Sequence, residues 1–257
     1  MTITVRMRSI PLDQRVESAN CLESAANRAI AKRSKLSMIK PEVLDAFKEF
    51  DSPTIFNAIV LKCGLPNEEY TDHRIHYLLP ELGPVIGYAV TAEVTTNDPD
   101  SVAVPWDGYY EAIDAMEGPV FAVMKDVDSR PGRGASFGDG MARLHQRLGA
   151  VGAVVDGTVR DLEGIRRVGL PIFAWGTVPG HGVFNATRVN APITVGSVRI
   201  RPGDLIFGDG DGCVRIPLEH AEEVLELAAE VRDKEAKIFA LYDSDDFSLA
   251  KWRESRT

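Results

Sequence analysis

Between Pro119 and Gly176 the sequence alternates short apolar runs with helix-forming segments, and this alternation constrains the fold more than any other feature. The runs PVFAVMKDV, VGAVVDG and LPIFAWG read as short buried strands, and MARLHQRL and LEGIRRVG between them read as helices. Buried strands joined through helices argue for an α/β architecture with at least part of the sheet parallel. The 257 residues fit one large domain with sizeable appendages. A hydrophobic content of 44% with 26% charged residues supplies a real core and excludes disorder, collagen and coiled coil.

The flanks extend this picture. Lys40–Cys63 holds two helical patterns separated at Asp51-Ser52-Pro53, where Asp51 or Ser52 is the expected N-cap and Pro53 fits a first helical turn. From Gly87 to Thr96 apolar and polar side chains alternate, the pattern of a half-buried strand. A helix is expected around Trp106–Met116 and a strand around Pro119–Met124. Asn190–Pro217 reads as a run of hairpins, APITV, SVRIR, DLIFG and CVRIP, separated by Gly, Pro and Asp-Gly turns. Beyond Pro217 a helical pattern carries an apolar stripe through Val224, Leu225, Leu227, Ala228, Val231 and Ile238, which needs a covering surface. The expected organisation is an N-terminal extension over residues 1–40, an α/β domain over 41–217 and a C-terminal helical segment over 218–257.

Charge narrows the partners. With 38 acids against 29 bases the net charge is −9, so a sequence-blind electrostatic grip on nucleic acid or anionic lipid is not expected. Any anion the chain binds needs a local site. No apolar run approaches the roughly 20 residues of a membrane helix, and the N-terminus lacks the order of a secretory signal. Cys21, Cys63 and Cys213 are far apart and lack metal-type spacing, which reads as reduced thiols in a cytoplasmic protein. Arg6, Arg8, Arg15, Arg28 and Arg33 near the start are interrupted by Asp13, Glu17 and Glu23, which argues against a mitochondrial transit segment.

Two features could carry chemistry. Gly138-Asp139-Gly140-Met141 closes a glycine-rich loop and opens a helix, whose first N–H groups can receive a carboxylate or phosphate. The pattern is neither a dinucleotide fingerprint, since Arg143 stands at its third glycine position, nor a P-loop. A tight turn with an Asp cap explains it equally well in isolation. The second feature is Arg160-Asp161, which follows the buried run VGAVVDG through an Asp-Gly turn and so falls at the carboxyl end of a strand, where open α/β sheets bind ligands. A guanidinium can clamp a carboxylate while the neighbouring Asp holds a hard divalent cation. The competing explanation is a surface ion pair with Asp161 capping LEGIRRVG.

Taken in order, the strings DSPTIFNAI, GYAVTAEV, EAIDAMEGPVFAV, FGDGMARLHQRLGAVGAVVDGTVRD, LPIFAWG and RPGDLIFGDGDGCVRIP resemble the family of RraA, the ribonuclease E activity regulator, and the 4-hydroxy-4-methyl-2-oxoglutarate aldolases. The resemblance implies a swivelling β/β/α-type fold assembled as a homotrimer or homohexamer with sites at subunit clefts. It implies metal-dependent release of pyruvate from a small 2-oxo acid, by aldol cleavage or oxaloacetate decarboxylation, with Mg²⁺ or Mn²⁺ and no organic cofactor. Gly138, Asp139, Gly140 and Met141 would line the pyruvate pocket, Arg160 would hold its carboxylate or carbonyl oxygen, and Asp161 would bind the metal mostly through waters. Asp139 would stand with Arg160 among the catalytic groups. The general base would come from a neighbouring subunit's C-terminal segment, where Glu219, Glu222, Glu223, Glu226 and Glu235 are available. Two departures stand out: Gly164 occupies a position where many members carry an acid, with Glu163 one place earlier, and Asp139 stands where members often have glutamate. The family also implies a second function, a non-catalytic regulator docking on a partner such as an RNA-degradation enzyme.

Other candidates have plainer explanations. His73 and His76 could share a helix face but read as surface histidines, while His181 on a glycine-rich loop could line the cleft. Lys125 reads as a solvated lysine at a strand end rather than a Schiff base. Asp209-Gly-Asp-Gly lacks the closing glutamate of a calcium loop and reads as a hairpin turn. Trp106, Tyr109 and Tyr110 read as packing residues. A methyltransferase activity gains no support from any nucleotide fingerprint.

Overall fold

The computed structural model describes residues 38–64 and 68–254. Cys21 and all but the last three residues of the expected N-terminal extension lie outside the described residues. In chain order the elements begin with α1 (Pro41–Phe47), α2 (Ser52–Cys63), β1 (His76–Tyr77), β2 (Val85–Thr95), α3 (Asp107–Asp114) and β3 (Val120–Asp126). The centre follows as β4 (Ala135–Phe137), α4 (Asp139–Arg147), β5 (Ala150–Val159), α5 (Leu162–Val168) and β6 (Ile172–Thr177). Then come β7 (Asn185–Val189), β8 (Ile193–Val195), β9 (Val198–Ile200), β10 (Leu205–Asp209), β11 (Gly212–Ile216), α6 (Ala221–Tyr242) and α7 (Leu249–Glu254). The result is the mixed α/β fold with a C-terminal helix that the sequence pattern and the resemblance led us to expect.

A nine-stranded sheet runs in the order β1-β6-β5-β3-β2-β10-β11, with β4 added to β5 and β7 to β2. Strands β2, β3, β5 and β6 are parallel neighbours, as strands joined through helices require. The outer pairs β1/β6, β2/β10 and β10/β11 are antiparallel. Both expected hairpins form, β8 with β9 in a separate two-stranded sheet and β10 with β11 across the Asp209 turn.

The sheet is covered on both faces. Val90, Val94, Tyr109, Ile113, Val154 and Phe173 belong to one buried apolar cluster. Phe47, Ile59, Ile86, Tyr88, Phe207 and Val224 belong to the other. Strand β2 therefore is not the half-buried strand its alternation suggests: Thr91 and Thr95 are as buried as their apolar neighbours. Its polar positions are satisfied from within, as Thr91 Oγ1 donates to the Ala191 carbonyl at 2.6 Å.

Asp51 is the N-cap of α2, its carboxylate accepting from Thr54 N at 2.8 Å. Ser52 instead donates its N–H and hydroxyl to Asp209, each at 2.6 Å, which ties α2 to the β10–β11 hairpin. The stripe on α6 is buried through Val224, Ala228 and Val231, but Ile238, Phe239 and Tyr242 are exposed. No helix among the described residues is long and apolar enough to cross a membrane.

Two segments differ from the conformation expected of them. Asp156-Gly157 is not a turn but lies within β5, because Gly157 leaves room for Asp126: a Cβ there would come within 2.8 Å of the Asp126 Cβ. Asp156 is held in place by Trp175 Nε1 at 2.8 Å. Nor is the loop SRPGRGASFGDG irregular throughout, since Ala135–Phe137 pairs with the end of β5.

Helix α4 is anchored by a fully buried histidine. Nδ1 of His145 lies 2.7 Å from the Met141 carbonyl and must donate to it, which leaves Nε2 to accept from the Tyr109 hydroxyl at 2.9 Å. Burial lowers the His145 pKa to about 4, opposed by its bond to the Met141 carbonyl. The folded chain thus favours the neutral ring, and this stability is complete above the ordinary value near 6.5 and lost as pH falls from there towards 4. We expect a loss on the order of 3 kcal/mol over that interval. Chemical denaturation against pH should show it, and His145→Gln should flatten the profile between the two values; an unchanged slope in the variant would contradict the assignment.

Candidate active site

The chain leaves β5 at Val159 and enters α5 at Leu162, so Arg160 and Asp161 form the whole connection at the carboxyl end of a buried strand. The Arg160 N–H donates to the Phe137 carbonyl at 2.9 Å, which fixes this connection beside the end of β4. Phe137 leads directly into Gly138, the N-cap of α4. Two loops that are distant in sequence thereby meet at one edge. A Cβ on Gly138 would lie 3.2 Å from Asp161 Oδ2 and 3.5 Å from Arg160 Nε, so the glycine backs directly onto the Arg–Asp pair.

Asp161 carries the strongest signal. Its backbone is left-handed, at φ 57° and ψ 39°, a conformation that costs an L-residue of this kind about 1 kcal/mol. It occupies the N-cap position of α5, yet its side chain makes no capping bond. The carboxylate instead faces Arg160, with Oδ2 3.3 Å from Nε, and both side chains are more than a third exposed. A cap would explain the residue if the cap bond existed; without it, the strained backbone presents a carboxylate to solvent. Arg160 and Asp161 therefore leave open a polar edge where a ligand can join the pair.

Asp139 in the first turn of α4 lies against Gly164 of α5: a Cβ on Gly164 would fall 2.5 Å from the Asp139 Cβ and 2.6 Å from its Oδ2. The glycine found where an acid is common in the resembling family is thus what admits Asp139 to its place. Arg143, one turn along α4, has its guanidinium 3.8 Å from Asp139. The i,i+4 spacing of Asp139 and Arg143 is the sequence signal of this contact, and it sits at the position where a dinucleotide fingerprint would need glycine. Gly140 is exposed with nothing within 4 Å of a Cβ position, whereas the Met141 side chain packs on the apolar cluster. The N–H groups that open α4 have no acceptor within the helix and remain available as donors.

The remaining candidates lie elsewhere. His73 and His76 are exposed, and the segment is a turn entering β1 rather than a helix. Lys125 is not solvated at a strand end; its ammonium donates to the Thr194 carbonyl at 2.8 Å. His181 is exposed on the loop after β6, with Nδ1 donating to the Gly182 carbonyl at 2.8 Å. Tyr109 is fully buried, and Trp106 and Tyr110 pack on the same cluster. Glu223 is ion-paired with Lys62 of α2.

This geometry makes two substitutions informative. Asp161→Gly should leave stability unchanged or raise it by up to about 1 kcal/mol, since glycine relieves the left-handed backbone; a loss above that in a denaturation curve would show that the carboxylate serves the fold. Gly164→Ala should cost about 1–3 kcal/mol by overpacking against Asp139, and Asp139→Gly in the same chain should recover most of it.

Comparison with known proteins identifies the family. A family model described as RraA-like, Aldolase/RraA, matches residues 41–215. A Halalkalibacterium halodurans protein provisionally named a 4-hydroxy-4-methyl-2-oxoglutarate aldolase is 34% identical over 204 residues, 76% of this chain and 91% of its own length. An uncharacterised Methanocaldococcus jannaschii protein is 33% identical over 156 residues, 60% of this chain and 71% of its own. The crystal structure of Streptomyces coelicolor RraAS2, an unusual member of the RNase ES inhibitor RraA family, superposes with a TM-score of 0.63 at 24% identity, over 78% of this chain and 96% of that one, a likeness of fold. The chain belongs to the RraA-like (Aldolase/RraA) family.

Proposed function

We infer that this protein is a divalent-metal-dependent carbon–carbon lyase that releases pyruvate from a small 2-oxo acid, either by aldol cleavage of a 4-hydroxy-4-methyl-2-oxoglutarate type substrate or by oxaloacetate decarboxylation. The observation that carries the reading is Asp161: a strained residue whose carboxylate caps nothing, set beside Arg160 and against Gly138. The name of the Halalkalibacterium relative points to the same chemistry.

The donor set is compatible with a particular kind of cation. Among the described residues no three His, Cys, Asp or Glu side chains group as a metal cage. One carboxylate with waters and a chelating substrate is the arrangement Mg²⁺ favours, since it keeps several of its waters. Asp161 would hold such a Mg²⁺ or Mn²⁺ ion, and the cation would supply Lewis acidity to the 2-oxo group.

The chain's own residues do the rest. The donors opening α4, from Gly138 to Met141, receive the substrate carboxylate, and Arg160 aligns its fork on the carboxylate or the neighbouring carbonyl oxygen. Breaking the C3–C4 bond moves electrons onto the 2-oxo group, and the fixed positive charge of Arg160 lowers the energy of the enolate oxygen. Asp139, held by Gly164 and facing Arg143, lies at the same edge as a carboxylate able to orient a water. The proton on the 4-hydroxyl needs a base, and an acid such as Glu219, Glu222, Glu226 or Glu235 of a second copy can supply it. An edge left this open in one chain fits a cleft completed by assembly into a homotrimer or homohexamer.

Two variants separate catalysis from mere presence of the fold. With oxaloacetate and 4-hydroxy-4-methyl-2-oxoglutarate as substrates, Asp161→Ala should lower pyruvate formation at least ~100-fold, and Arg160→Lys by ~10–100-fold because the bidentate fork is lost. Full activity in both folded variants would sink the mechanism and favour a regulator that docks on a partner.

A further inference from the structure

A cavity outside the Arg160–Asp161 edge holds a concentration of positive charge that the proposed reaction does not use. Its volume is about 480 Å³, and Asn97, Arg130, Arg133, Gly134, Gly180 and His181 line it. No carboxylate contributes to its lining. Among the described residues neither guanidinium has an acid within ion-pair distance, in a chain where acids outnumber bases 38 to 29.

The acids near this loop are turned to its backbone instead. Buried Asp128 accepts from the Thr95 hydroxyl at 2.9 Å, from the amides of Thr96 and Asn97, and from the Arg130 amide at 2.9 Å. Asp126 accepts from Gly132 N at 2.7 Å and Asp128 N at 2.9 Å. Asp98 binds the amide and hydroxyl of Ser129 at 2.8 Å and 2.7 Å. Three carboxylates thus fix the segment that presents the two arginines, while leaving the guanidinium groups to solvent. Burial raises the Asp126 carboxyl; in Asp128 burial is outweighed by the Arg130 amide and the Thr95 hydroxyl, which bring it below its ordinary range.

The far wall is equally determined. A Cβ on Gly182 would fall 1.7 Å from the Thr96 carbonyl oxygen, and one on Gly134 would fall 2.6 Å from Thr96 Oγ1. The loop after β6 therefore lies directly on residues 95–97, and the Ala135 N–H donates to the Gly180 carbonyl at 2.8 Å to hold it there. With Nδ1 of His181 donating to the Gly182 carbonyl, Nε2 of the neutral ring is an acceptor, so the ring lines the wall and the arginines supply the donors. Arg133 and Gly134 precede β4 whereas Gly138 follows it, so the arginine loop and Gly138 lie at opposite ends of that strand, while Val178 on the cavity wall donates its N–H to the Val159 carbonyl at 2.9 Å.

We propose that this cavity is an anion-binding site distinct from the Arg160–Asp161 edge, taking a carboxylate or phosphate group of a small molecule between Arg130 and Arg133, with Asn97 as a flanking contact. A rigid loop with two arginines is organised for such a group before it arrives, which lowers the ordering cost of binding.

Isothermal titration of the full chain with inorganic phosphate and with citrate, each balanced with chloride to constant ionic strength, tests this. Saturable binding that persists in Arg160→Ala is expected, and the tighter of the two tells phosphate from carboxylate. Arg130→Ala and Arg133→Ala should each weaken it at least tenfold, the lysine variants by less, and Asp161→Ala should leave it within twofold. Thermal unfolding of each variant shows that the fold is retained. Absence of saturable binding, or binding lost in Arg160→Ala and kept in the Arg130 and Arg133 variants, would overturn the proposal. A change of oligomeric state in the double variant, with no anion binding by the parent, would overturn it too and place the arginines against a second copy.

Discussion

Strand β5 is hydrogen-bonded to β3, β4 and β6 and buried along nearly its whole length, so the chain can leave it only at its carboxyl end. The candidate site follows from that constraint. The exit must turn into α5 within two residues, and the turn is made by a left-handed Asp161 rather than by a glycine. Glycine would make the same turn at lower backbone cost. What aspartate adds is a carboxylate held beside Arg160, and nothing within the fold uses it as a cap. Strain accepted without structural return, at the strand end where α/β sheets bind ligands, is the physical core of the functional reading.

The alternation of apolar runs and helices made the central α/β unit legible, because parallel strands buried on both faces leave few polar residues to blur the pattern. The hairpins and a cap at Asp51 or Ser52 were legible for related reasons, since each depends on residue types with narrow backbone roles, whereas the joining of Gly138–Asp139 with Arg160–Asp161 was implied by the family resemblance alone. What was not legible depends on neighbours far away in sequence. Asp156-Gly157 has the composition of a turn, and only the approach of Asp126 explains a glycine inside a strand. The alternation in β2 suggested a wet face, yet Thr91 bonds to the Ala191 carbonyl 100 residues away and Thr95 to the Asp128 carboxylate. Gly164 looked like a missing acid until Asp139 was seen to occupy its space.

The two polar regions show different uses of the same residue types. At the Arg160–Asp161 edge opposite charges sit side by side and partly exposed, which leaves both able to exchange partners with a ligand and a cation. In the loop after β3 the carboxylates are withdrawn to backbone amides and the arginines stand apart from them. His145 adds a third pattern, a ring kept neutral by burial that ties the first turn of α4 to α3 through Tyr109. In each case the local dielectric and the available partners, more than the residue type, decide what the group can do.

We propose that this edge performs metal-dependent chemistry on a 2-oxo acid. The direct measurement is pyruvate formation by the unmodified protein from oxaloacetate and 4-hydroxy-4-methyl-2-oxoglutarate, first with Mg²⁺ or Mn²⁺, then with excess chelator, then with metal restored, each corrected for decarboxylation by metal alone. Turnover that vanishes with chelator and returns with metal is the predicted result. Turnover indifferent to chelator, or none from a folded protein on either substrate, would contradict the account.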